Sequence, residues 1–123
     1  MSRKVSRQLT EAELRLMNVL WKRGPATVAE ITDGLKADPP LAYNTVLTTL
    51  RILESKGFVR HKKESRAFIY EASVAQEEAS RSALRQLLAR FFNNSPELLV
   101  ANLLKDEQIR KRDLERVRKL IAE

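Results

Sequence analysis

Three helical patterns, two short runs of β-forming residues and a further helix-rich stretch predict a mainly α-helical protein with a small β-hairpin wing. Helix, helix, helix and hairpin, in that order, are typical of a winged helix-turn-helix. The 123 residues suffice for one compact core, or for a small domain with an assembly element. We therefore expect a winged-helix DNA-binding domain over residues 1–72 and a helical dimerisation region over residues 73–123.

The first two predicted helices each begin with a capping box. Thr10 is followed three residues later by Glu13, and Thr27 is followed by Glu30 at the same spacing. In such a pair each side chain accepts a hydrogen bond from a backbone N–H of the first helical turn. The Gly-Pro dipeptide at 24–25 ends the first helix, so two helices joined by a tight turn are expected.

The third predicted helix, Tyr43 to Lys56, has one apolar face and one polar face. Helical spacing places Val46, Leu50 and Leu53 on the apolar side. The opposite side carries Asn44, Thr45, Thr48, Arg51 and Ser55. Gly57 follows, at the position where a left-handed residue commonly ends a helix.

The hairpin is predicted from "FVRHK" and "RAFIY", with Lys63, Glu64 and Ser65 as the turn. Residues 60–66 contain four cations and one acid, which favours contact with phosphate groups. The aromatic residues are assigned to core packing rather than to base stacking, and they are Trp21, Phe58, Phe68 and Tyr70.

The chain after Tyr70 predicts three more helices. The first runs from Glu77 to Phe92, the second begins at Ser95-Pro96-Glu97, and Asp106 is expected to cap the last, which would carry Ile109. Three such helices bury too little surface alone, so their apolar faces are expected to meet a second copy of the chain. The expected dimer interface consists of Leu84, Leu88, Phe91, Leu99, Leu103, Val117 and Leu120.

The composition favours a polyanionic partner and argues against catalysis. The net charge is +7, and the excess lies in the hairpin and in the N-terminal arm. There is no Cys, and the single His61 has no evident second ligand or nucleophile, so we expect no enzyme, no metal site and no cofactor. Since no apolar run is long enough to cross a membrane and no signal peptide is apparent, we expect a cytoplasmic protein without membrane insertion.

A neutral polar helix face beside a cluster of cations suits double-stranded DNA. Short polar and methyl-bearing side chains can meet base edges in the major groove, while flanking cations neutralise phosphates. The expected DNA-binding residues are Arg7, Thr27, Tyr43, Asn44, Thr45, Leu47, Thr48, Arg51, Arg60, Lys62, Lys63 and Arg66.

Three segments resemble the BlaI/MecI family of penicillinase repressors: "LTEAELRLMNVLWKRGPATVAEI", "LAYNTVLTTLRILESKGFV" and "RAFIY". The resemblance covers nearly the whole chain. It implies a homodimeric winged-helix repressor that binds a pseudo-palindromic operator with TACA and TGTA half-sites upstream of resistance genes. Some members of the family carry a basic residue where Leu47 stands, and we expect Leu47 to touch a thymine methyl group instead.

The same resemblance implies release of repression by proteolysis in the dimerisation region, triggered by a β-lactam-sensing membrane metalloprotease. The cleaved bond follows an Asn between apolar residues, and "LLVANLLKDE" places it at Asn102-Leu103, with Leu where the best-known members have Phe. The copper-responsive branch of this group binds metal through C-terminal Cys residues, so a chain without Cys is not expected to sense copper in that way.

Two other functions are compatible with the same residues. A winged helix can serve as a protein-interaction module, in which case the basic wing would meet an acidic partner, or as a non-specific DNA-binding protein. A small-molecule sensor would need a pocket between the two regions, and no polar constellation in the sequence marks one.

Overall fold

The structure, a computed structural model, describes residues 8–35 and 39–122. It forms two compact units, Met1–Ala83 and Leu84–Glu123. Within the described residues the elements are α1 (Glu11–Arg23), β1 (Ala26–Thr27), α2 (Val28–Gly34), α3 (Tyr43–Lys56), β2 (Val59–Glu64), β3 (Ala67–Ala72), α4 (Gln76–Phe91), α5 (Pro96–Lys105) and α6 (Lys111–Ile121). The predicted fold class is confirmed: a winged helix-turn-helix precedes a purely helical stretch.

Both predicted capping boxes are formed. The Thr10 hydroxyl accepts from the N–H of Glu13 at 3.1 Å, and the N–H of Thr10 donates to the Glu13 carboxylate at 2.9 Å. Thr27 and Glu30 repeat this geometry at the start of α2, with the same two distances. The first two helices therefore start where local side-chain hydrogen bonding places them.

Helix α3 has the predicted bounds, and its apolar face anchors it in the core of the first unit. Val46, Leu50 and Leu53 are fully buried and pack with Leu16 of α1 and Ile31 of α2. At the C-terminal end the helix stops at Gly57, whose φ of 90° is left-handed. The polar face of α3 is thereby turned away from the core.

The hairpin pairs with a short strand that the sequence did not predict. The antiparallel sheet has the order β1-β3-β2, with Ala26 opposite Tyr70 and Val59 opposite Ala72. Strand β1 was missed because its two residues include the cap of α2 and offer no alternating pattern.

The predicted hairpin turn at 63–65 is wrong. Lys63 and Glu64 lie in β2, and Glu64 pairs with Ala67, so Ser65 and Arg66 form the turn. Ser65 adopts a φ of 56°, as two-residue hairpin loops require of a central residue. We call β2, β3 and this turn, residues 59–72, the wing.

Three of the four aromatic assignments to core packing are confirmed and one needs correction. Phe58 and Tyr70 are buried as predicted. Trp21 is partly buried and packs against the core, and its indole N–H donates to the Val74 carbonyl at 2.9 Å. Phe68 is half exposed rather than in the core, because it lies two residues closer to the hairpin turn than Tyr70 on the same strand face.

In the second unit the predicted start of α5 is confirmed and the predicted start of α6 is wrong. The Ser95 hydroxyl accepts from the N–H of Leu98 at 3.0 Å. Asp106 ends α5 instead of capping α6, since its carboxylate accepts from the N–H of Gln108 at 2.9 Å in a local turn. Helix α6 begins only at Lys111, so Ile109 precedes it. A capping Asp and an Asp that closes a turn are indistinguishable in sequence.

Candidate nucleic-acid interface

The exposed face of α3 presents short polar side chains from its first three turns. Tyr43, Asn44, Thr45, Thr48 and Arg51 are exposed, and Leu47 is half-buried beside them. The neighbouring Thr49 is buried, and its hydroxyl donates to the Thr45 carbonyl at 2.8 Å, so it is satisfied within the helix.

The start of α3 is tied to α1 by Arg15. Its Nη2 donates to the Pro39 carbonyl at 2.7 Å and to the Leu35 carbonyl at 3.3 Å. Both carbonyls belong to the connection between α2 and α3, which follows Gly34 and ends before Tyr43. The guanidinium therefore holds two points of this connection against α1.

A cleft of about 710 Å³ lies between the start of α2, the exposed face of α3 and β3. Its lining includes five of the predicted DNA-binding residues, and these are Thr27, Tyr43, Leu47, Arg51 and Arg66. It also includes Glu54, His61 and Phe68, which the sequence reasoning did not assign to the site. Helical spacing could have placed Glu54 one turn after Arg51 and two turns after Leu47, but its proximity to the wing depends on tertiary packing.

The four wing cations are not equivalent. Arg60 Nε lies 2.6 Å from Glu71 Oε2, and Lys62 Nζ lies 3.9 Å from Glu64 Oε2. Lys63 and Arg66 are exposed and have no ion-pair partner within residues 8–35 and 39–122. Arg7 of the N-terminal arm, which was also predicted to bind DNA, lies outside the described residues. Lys63 and Arg66 are thus the wing cations with most charge available to an external anion.

The lining of the cleft includes the ionisable residues Tyr70, Glu54 and His61. Burial raises the pKa of Tyr70, the Glu54 carboxylate and Tyr43 raise it further, and the Arg51 guanidinium lowers it. Glu54 also accepts from His61 Nδ1 at 2.8 Å. With its raised pKa, Tyr70 stays a neutral phenol around pH 7.

A profile of the Penicillinase repressor family matches residues 9–123. The chain belongs to this family.

The penicillinase repressor of Bacillus licheniformis is 27% identical over 116 residues, which cover 94% of this chain and 91% of that protein. The methicillin resistance regulatory protein MecI of Staphylococcus aureus strain N315 is 21% identical over 114 residues, 93% of each chain. A solved structure of B. licheniformis BlaI, in its monomeric form in complex with the blaP half-operator, has a TM-score of 0.51 and 31% identity, and covers 61% of this chain and 90% of that chain.

In this penicillinase repressor family member the helices after the wing carry a large apolar surface. Within the described residues, α4, α5 and α6 contain no buried residue. Five of the seven residues predicted for the dimer interface are exposed and two, Leu88 and Leu99, are half-buried. Phe91 is 65% exposed and Leu120 is 75% exposed. The sequence reasoning omitted further exposed apolar residues, namely Leu87, Leu98, Val100, Leu104 and Ile121.

Asn102 and Leu103 lie in the last turn of α5 and are exposed. The Asn102 side chain donates to the Leu98 carbonyl at 2.9 Å, a bond within the helix. Cleavage of the 102–103 bond would therefore require this turn of α5 to unwind.

Residues 8–35 and 39–122 contain no cluster of three His, Cys, Asp or Glu side chains that could hold a metal ion. None of the helices in the described part of the chain is long and apolar enough to cross a membrane.

Proposed function

We propose that this protein is a transcriptional repressor that binds double-stranded DNA as a homodimer. The observation that carries the proposal is the exposed polar face of α3 beside a cleft that reaches the wing, where Arg66, like Lys63, is exposed and has no ion-pair partner among the described residues. Membership of the Penicillinase repressor family supports it, as does the similarity to BlaI in complex with a half-operator. Such a role needs no catalytic group and no cofactor.

In this proposal the exposed face of α3 enters the major groove. Asn44, Thr45 and Thr48 would hydrogen-bond to base edges, and Leu47 would touch a thymine methyl group. The phosphate contacts would come from Tyr43, Thr27 and the cations Arg7, Arg51, Arg60, Lys62, Lys63 and Arg66. The two sets lie side by side because base reading and charge neutralisation need different chemistry at adjacent places.

The apolar surface of α4, α5 and α6 supports the homodimer. Ten large apolar side chains of these helices are at least 40% exposed in the single chain, more than a protein of this size normally leaves in water. A second copy would cover that surface in a two-fold arrangement and bring a second α3. Helix-turn-helix dimers read half-sites about one helical turn apart, which suits a pseudo-palindromic operator.

The finer proposals follow from the family resemblance. The half-sites would be of the TACA and TGTA type and would lie upstream of resistance genes. The protein would act in the cytoplasm. Repression would end when a β-lactam-sensing membrane metalloprotease cuts at Asn102-Leu103. Loss of α6 and the end of α5 would then remove Val117 and Leu120 from the dimer.

The test is a binding titration followed by fluorescence anisotropy at about 0.15 M salt. One duplex carries two TACA/TGTA half-sites one turn apart, and the other has the same bases in scrambled order. Specific recognition predicts at least about 10³-fold tighter binding to the first duplex. Equal affinity for the two duplexes would contradict the proposal and favour non-specific binding, and no binding to either would favour a protein-interaction module.

A further inference from the structure

His61 connects the wing to the exposed helix of the cleft. It lies on β2, and its Nδ1 is 2.8 Å and 2.9 Å from the two carboxylate oxygens of Glu54 on α3. The imidazole also packs edge-on against Phe68, with ring centroids 5.0 Å apart, and against Tyr70 at 5.2 Å. The two paired side chains are 36% and 35% exposed, so water and protons reach both.

We propose that His61 is a positioning residue for DNA binding: paired with Glu54, it holds the wing against α3 and makes operator affinity depend on pH. The inference rests on the proposed function, and it adds regulation of the same site. Nothing in a repressor role as such requires a titratable group between the helix and the wing.

The pair restrains the part of the wing that carries its available cations. Lys63 lies two residues beyond His61, on the same strand face, and Arg66 follows in the hairpin turn. A bond between His61 and Glu54 therefore restrains the position of Lys63 and Arg66 relative to α3. A hydrogen bond between an ionised donor and an ionised acceptor is roughly twice as strong as a neutral one, so protonation tightens this restraint.

The charged and titratable groups around the imidazole come from three elements. Helix α3 contributes Tyr43, Arg51 and Glu54, β3 contributes Tyr70 and Glu71, and the wing turn contributes Arg66. On β2 itself lie Arg60, which pairs with Glu71, and Lys62. The ordinary pKa values of carboxyl, phenol, ammonium and guanidinium side chains lie outside the range from pH 5 to pH 8. Histidine is the side-chain type whose ordinary pKa lies within it, and the sequence contains a single His.

A protonated His61 could raise the affinity for DNA in two ways, by positioning the wing through Glu54 or by direct attraction to phosphate. Substitution of Glu54 distinguishes these two explanations. If only charge mattered, removal of the Glu54 carboxylate would strengthen DNA binding, because a group that repels phosphate is lost. If the pair positions the wing, the same removal weakens binding at low pH. The two explanations predict opposite signs for one substitution.

The experiment measures the dissociation constant of the full chain for the operator duplex at about pH 6 and about pH 8, at constant salt. The wild type is expected to bind about five to ten times more weakly at the higher pH. Glu54→Gln should bind at pH 6 about as weakly as the wild type at pH 8, with a pH ratio near one. His61→Lys, which keeps a cation beside Glu54, should retain tight binding at both pH values.

Glu64→Gln is the matched control, because it removes another exposed carboxylate of the wing that does not contact His61. It should bind more tightly at both pH values and keep the wild-type pH ratio. Tighter binding by Glu54→Gln, or an unchanged pH ratio in that variant, would overturn the inference while leaving the repressor intact. A wild type that fails to prefer the operator over the scrambled duplex at pH 6 would instead refute the proposed function, and the inference with it.

Discussion

Substitution of Leu120 by serine should separate dimerisation from folding. The Leu120 side chain is 75% exposed in the single chain, so about three quarters of its apolar surface is left to be buried by a partner. Complete burial of a leucine contributes about 1.5 to 3 kcal/mol, and a two-fold interface contains the residue twice. The dimer should therefore lose about 2 to 4 kcal/mol, which raises its dissociation constant about 30-fold to 1,000-fold.

The assay is sedimentation equilibrium over a range of protein concentrations, with urea unfolding of the first unit followed by fluorescence of Trp21, the single tryptophan. Leu120→Ser should leave that unfolding free energy unchanged within about 0.5 kcal/mol at concentrations where both proteins are monomers. Lys119→Ser, the adjacent exposed position on α6, is the control and should dimerise as the wild type does. Dimerisation of Leu120→Ser as tight as that of Lys119→Ser would refute the placement of α6 in the interface.

Three further substitutions test the site and the fold. Thr48→Ala should weaken binding to the operator by about 1 to 3 kcal/mol and hardly affect random DNA, so equal losses on both duplexes would exclude base reading by this residue. Lys63→Ala should weaken binding to both alike and reduce the slope of log affinity against log salt by about 0.9, whereas an unchanged slope would argue against a phosphate contact. Lys56→Met should lower the free energy of unfolding, measured by thermal unfolding, by about 2 to 3 kcal/mol. The reason is that Glu13 is only 4% exposed and loses a cation 2.8 Å away. An unchanged melting temperature would show that the ion pair contributes nothing to stability.

The parts of the fold that sequence predicts well are those decided by neighbouring residues. The capping boxes at Thr10 and Thr27 determine two helix starts through bonds that span three residues. Gly57 ends α3 because a left-handed residue is needed there. In each case the information lies within a few positions of the element it specifies.

The corrections concern features that depend on pairing or on distant packing. Strand register, which decides that Ser65 and Arg66 form the turn, is determined by the partner strand. Phe68 is a residue type that is common in protein cores. It is half exposed because of its distance along β3 from the helices. Asp106 has the chemistry of a helix cap but closes a local turn. None of these differences is visible in a window of sequence.

The candidate site was predicted in part. The sequence identified the polar face of α3 and the basic wing, and the structure brings five of the predicted residues into one cleft. Their contacts with DNA stay predictions. The sequence reasoning placed His61 on the wing and did not link it to Glu54, because seven positions and an intervening helix end separate the two residues in the chain.

The measurement that tests the central claim most directly is selection of bound duplexes from random DNA by the full chain at physiological salt, read out by sequencing. A dimeric repressor predicts enrichment of a two-fold motif with half-sites about one turn apart, which would also identify the target genes. The absence of any enriched motif after repeated rounds of selection would contradict the proposed repressor function. The basic wing would then serve a protein partner or non-specific DNA binding.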